Sequence, residues 1–145
     1  FDERFFCYFE DVDLAFRLRL LGHRCLYVPD SKVDHFGSAI AGRQSDFVVY
    51  HGHRNMVWAY VKNMPSSLLW LGLPQHIIVN LAALIWFSLT GQAGTIFKAK
   101  RDALLGLRKT IAQRKLIQKN SRVSSEKIKK IIATGWLLPY LKNRV

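Results

Sequence analysis

The chain is poor in acid, in charge through its middle, and in aromatics at its basic end. Only ten Asp/Glu stand against 22 Lys/Arg in 145 residues, giving a formal charge of +12. Such a balance points to an anionic partner, either nucleic acid or anionic lipid. No Phe, Tyr or Trp occurs between Lys98 and Lys130. The stacking platforms that alternate with cations in single-strand-binding modules are therefore missing there. Cys7 and Cys25 are the only cysteines, and they lack a C-x-x-C spacing. That argues against a disulfide framework or a zinc site, and both are expected to be reduced core residues of a cytoplasmic protein. No internal repeat, signal peptide or low-complexity tract is evident within these residues.

The charge is unevenly spread. Through Leu89, eight Lys/Arg balance eight Asp/Glu, whereas beyond it fourteen Lys/Arg face only Asp102 and Glu126. The end of the chain thus carries the whole net charge. Between Lys62 and Lys98 there is no charged residue at all. Leu68 to Leu89 is long enough to cross a bilayer, for which about 20 apolar residues suffice. Trp70 and Trp86 mark its two ends, where interfacial aromatics are expected. Pro74, Gln75, His76 and Asn80 argue for a break after the first turns, and the competing reading is a buried helix of a soluble protein. The residues beyond read as two basic amphipathic helices, the second starting near Ser124 or Ser125, of the kind that lie on anionic membrane surfaces.

The acids that do occur are crowded. Glu10-Asp11-Val12-Asp13-Leu14 puts three carboxylates within four residues. Asp11 or Asp13 reads as an N-cap, Leu14, Leu18 and Leu21 follow at helical spacing, and Gly22 suits the left-handed position past the helix end. A helix N-terminus favours ionised carboxylates while like-charged neighbours oppose them, which is one way to tune a general base. The plainer reading is a solvated acidic cap with an Asp13–Arg17 pair one turn apart. Cys25-Leu26-Tyr27-Val28, closed by Pro29-Asp30, reads as a short buried strand, and Lys32 to Phe36 as a second one that carries His35. A helix is expected from about Phe47 to Asn63, stopped at Met64-Pro65. His51 and His53 are two apart and do not share a helix face.

The ordered set Phe1-Asp2-Glu3-Arg4-Phe5-Phe6-Cys7-Tyr8-Phe9-Glu10-Asp11-Val12-Asp13-Leu14-Ala15-Phe16-Arg17, then Gly22, Tyr27-Val28-Pro29 and Val33-Asp34-His35, resembles the C-terminal part of the catalytic domain of family 2 glycosyltransferases. The bacterial rhamnosyltransferase-like members are the most similar. The resemblance covers roughly residues 1–65. It implies an α/β fold, the incomplete C-terminal part of a nucleotide-sugar-binding domain, followed by membrane-associated helices. It also implies a fragment, since no initiator Met is present and the donor-binding half with its Asp-x-Asp motif would lie upstream. The expected organisation is a catalytic part at 1–65, an apolar membrane-associated segment at 66–97 and a basic helical tail at 98–145.

Residue by residue, the resemblance makes Asp11 the general base and Glu10 a residue that orients the site. His35 takes the position that in some members completes the divalent-metal site, Mg²⁺ or Mn²⁺. The alternative for His35 is a strand-end histidine bonded to backbone. Asp13 and Arg54 are candidate substrate-binding residues; Arg54-Asn55 matches an Arg-Asn pair frequent in these relatives, and a guanidinium facing the cleft can hold a phosphate. The implied activity is inverting transfer of a sugar such as rhamnose from a nucleoside-diphosphate donor to a lipid-linked or polysaccharide acceptor, at the cytoplasmic face of a bacterial inner membrane. The alternatives are a basic nucleic-acid-binding module and a non-catalytic membrane anchor.

Overall fold

A computed structural model describes residues 1–32 and 45–132. A 3₁₀ turn, Glu3–Phe5, precedes six helices: α1 Glu10–Leu20, α2 Asp46–Asn63, α3 Ser66–Leu89, α4 Ala93–Leu105, α5 Leu107–Lys119 and α6 Ser125–Ile131. No strand occurs among the described residues, so the expected α/β architecture is overturned. The expected strand Cys25–Val28 has no regular secondary structure among the described residues, and Leu26 and Tyr27 are open to solvent. A strand needs a neighbour to satisfy its ladder groups, and no strand lies beside it among the described residues. Cys25 is accordingly exposed rather than a core residue, and Cys7 is half-buried. The second strand expected around His35 lies outside the described residues.

Helix ends follow local chemistry in most places. α1 closes as a Schellman motif: Gly22 sits at φ +91°, its N–H donates to Arg19 O, and the His23 N–H donates to Leu18 O. Ser45 Oγ caps α2 by accepting from the Val48 N–H, and Pro65 follows its end. Ser124 caps α6 in the same way. The start of α1 departs from expectation. Neither Asp11 nor Asp13 is the cap; Phe9 occupies that position, left-handed and without a side-chain cap.

Two further expectations fail on packing. α3 runs unbroken through Pro74. The basic stretch is divided at Gly106 into α4 and α5, and the Trp58 indole lies against that glycine, leaving no room for a Cβ. α2 is the central helix, packed mainly on α4 and α5, while α3 lies along α4. The core is small and split. Phe5, Trp58 and Ala59 form one cluster, and Leu20, Leu68 and Ile128 form another that joins α1, α3 and α6.

Candidate functional site

The acidic cluster begins with backbone that resists folding this way unaided. Phe6, Tyr8 and Phe9 all have φ between 62° and 68°, a region that costs non-glycine residues energy. Asn55, fully buried on α2, holds this turn. Its Nδ2 donates to Phe5 O at 2.9 Å, Cys7 O at 2.7 Å and Tyr8 O at 2.9 Å. Arg54 secures the same segment, donating from one terminal nitrogen to Arg4 O and Phe5 O, while its Nε donates to Asn55 Oδ1. The guanidinium also lies over the Trp58 and Tyr50 rings. In this arrangement Arg54 is engaged by protein oxygens and aromatic faces.

The three carboxylates separate into three environments. Asp13 is fully buried and saturated. Lys62 Nζ approaches its Oδ1 at 2.9 Å, Asn63 Nδ2 donates to the same oxygen at 2.8 Å, and Arg17 Nε donates to Oδ2 at 3.0 Å. The Asp13–Arg17 pair read from the spacing is therefore present, within a larger network. Lys62, 2 % exposed, also donates to Asp2 at 2.7 Å. Burial alone would raise the Asp2 carboxyl, but hydrogen bonds from Lys62 and Arg4 together with the Lys62 charge hold it well below the ordinary carboxylate range.

Asp11 is exposed, and among the described residues its side chain accepts a hydrogen bond from the Val12 N–H at 2.8 Å. Glu10 lies between these extremes: its Oε2 is buried without a hydrogen-bond partner. Its charge, after burial, helps raise the neighbouring Cys7 thiol, against Arg54. The result is a rigid helix start with one free carboxylate and one partly desolvated one.

His35 lies outside the described residues. Among those that are described, no three His, Cys, Asp or Glu side chains converge. These residues therefore do not by themselves furnish the divalent-metal site that the resemblance implies. An open cleft of about 500 Å³ lies on the side of Asp2, Arg4, Arg17 and Lys62 rather than at Asp11. Its cations are paired with Asp2 and Asp13.

A second polar group escaped sequence reasoning. Lys100 on α4 reaches between α2 and α3, donating to Asn80 Oδ1 and to His53 O. Burial lowers its ammonium to about 8; burial and then the Lys100 charge lower His53 to about 4. His76 stacks on Tyr60 with ring centroids 4.1 Å apart. His51 faces a different set, Phe6, Phe47 and Tyr50, in keeping with the reading that the two histidines do not share a face. The only sequence signal for Lys100 was its place just past the uncharged stretch.

No protein-family model, curated protein or solved structure matches the chain.

Proposed function

We propose that the chain supplies the acceptor-side base and the membrane-attached part of an inverting glycosyltransferase. The donor is a nucleoside-diphosphate sugar such as a dTDP-rhamnose-like compound. The acceptor is a lipid-linked or polysaccharide hydroxyl of the bacterial cell envelope, met at the cytoplasmic face of the inner membrane. One observation carries the reading. Within the Glu10–Asp13 run, Asp11 alone has its carboxylate exposed at a helix start, while the buried Asp13 network and the Arg54–Asn55 pair fix that start in place.

Asp11 takes the proton of the acceptor hydroxyl as its oxygen bonds to the anomeric carbon from the face opposite the diphosphate. The bond from that carbon to the diphosphate oxygen breaks, and the configuration inverts. Glu10, partly desolvated beside it, orients the acceptor. Asp13 and Arg54 act through position, by holding α1 and the turn before it.

In the native protein carrying this chain, Asp11→Asn should leave donor binding intact and lower transfer by about 10²–10⁴-fold. Glu10→Gln should have a smaller effect. Turnover close to wild type in Asp11→Asn with a defined acceptor overturns the assignment.

A further inference from the structure

The surface of α3 inverts the usual order of a helix in a water-soluble protein. Such a helix turns its apolar stripe inward and its polar residues to solvent. In α3 the small and polar residues Gly72, His76 and Asn80 face the protein, together with Leu68 and Phe87. Tyr60 donates to Leu69 O at 2.6 Å and lies over Gly72, His76 stacks on Tyr60, Asn80 accepts from Lys100, and Phe87 meets the His53 ring edge-on. The opposite side carries Trp70, Leu71, Ile78, Leu81, Ile85 and Trp86, each at least half exposed. The helix has no charged residue, and only 6 % of its most apolar window is buried. An apolar surface this long is far beyond the scattered exposed residues of an ordinary monomer.

We propose that α3 lies in the plane of an anionic bilayer surface, with this outer side in the acyl boundary, and does not cross the membrane. The inference is independent of the transferase reading. The inward contacts run from Leu68 to Phe87, along almost the whole helix, and they hold α3 against α2, α4 and α6. A transmembrane placement would either break them all or carry Lys98, Lys100, Arg101 and Asp102 into hydrocarbon, where charges are rarely tolerated. An in-plane placement keeps every contact and leaves α2 on the aqueous side. On α4, Phe97 and Leu104 flank Lys100 along the helix and are both exposed, with Arg101 exposed between them. Apolar residues interleaved with cations suit an interface of acyl chains and anionic headgroups, rather than a neutral protein surface.

Trp70 and Trp86 decide the orientation. They are sixteen residues apart, about 24 Å along a helix. In the native protein, with Cys7 and Cys25 changed to Ser, spin labels would be placed singly in Trp70→Cys and Trp86→Cys. Flotation would use phosphatidylcholine vesicles with and without phosphatidylglycerol. Expected are stronger flotation with phosphatidylglycerol, at least tenfold tighter binding at low salt, and equal shallow depths for both labels. Ile78→Glu combined with Ile85→Glu should abolish flotation with the helical circular dichroism unchanged. Labels at opposite membrane faces overturn the in-plane placement. Absence of flotation, with self-association in light scattering, assigns the surface to a second copy and overturns the proposal entirely. Should the double variant fail to fold, the label depths alone decide.

Discussion

At the residue scale, Lys62 and Asp13 dominate. A buried ammonium with two carboxylates, an amide and a neighbouring guanidinium forms a closed network. Its value lies in not leaving a charge stranded. Asp13→Ala removes two of the oxygens around Lys62 and leaves Asp2 as its remaining carboxylate. The loss should be about 3 kcal/mol, at the lower end for a broken buried pair, read from urea midpoints. Asp11→Asn, exposed two residues away, should leave the midpoint unmoved. The two substitutions thus separate a residue that builds the site from one that the proposed function needs only for chemistry. Sequence spacing reached the Asp13–Arg17 pair because i,i+4 neighbours on a helix are obligatory. It could not reach Lys62, which is 49 residues from Asp13 and meets it only after α2 packs beside α1.

At the element scale, helix ends were legible where the chain itself supplies the terminating group. Gly22, Pro65 and Ser124 each act on backbone groups within a few residues of themselves, whereas the Ser45 cap of α2 was not read from the sequence. The start of α1 was not legible, since the left-handed turn before it is held by Asn55 from another helix. The α4–α5 division has the same character. Gly106 has an ordinary helical φ of −77°, so backbone freedom is not why a glycine suits the site. The reason is the Trp58 ring, whose Nε1 donates to Ala103 O at 2.9 Å. Gly106→Ala forces a methyl group into that ring. It should cost about 1–3 kcal/mol as overpacking and perturb the near-ultraviolet tryptophan signal in the same sample. An unchanged thermal midpoint would show that α4 and α5 separate easily around Trp58.

At the scale of the whole molecule, titration and surface character are collective. His53 has a folded value of about 4 against an ordinary 6.5, so between those pH values the unfolded chain binds more protons. Stability should fall as pH drops from about 6.5 towards 4. His51, also lowered by burial and Arg54, adds to the same limb. Asp2, depressed below its ordinary 3.8, contributes stability that is present above that value and lost as pH falls further. Urea midpoints against pH should therefore show two acid limbs. His53→Gln should shrink the upper one and Asp2→Asn the lower; a single limb insensitive to His53→Gln would contradict the burial of that ring.

What sequence alone determined is what depends on near neighbours or on bulk composition. It settled the helix stops at Gly22 and Pro65, the acidic helix and its Arg17 pair, the uncharged stretch and the basic end of the chain. Tertiary structure decided the rest. The expected strand Cys25–Val28 finds no partner among the described residues, Asp13 becomes a buried counter-ion, Arg54 and Asn55 bind backbone carbonyls, and α3 turns its apolar side outward. The physical reason is common to these outcomes. Pairing, desolvation and the choice of which helix face is covered belong to contacts between distant segments, and no local pattern encodes which partner arrives.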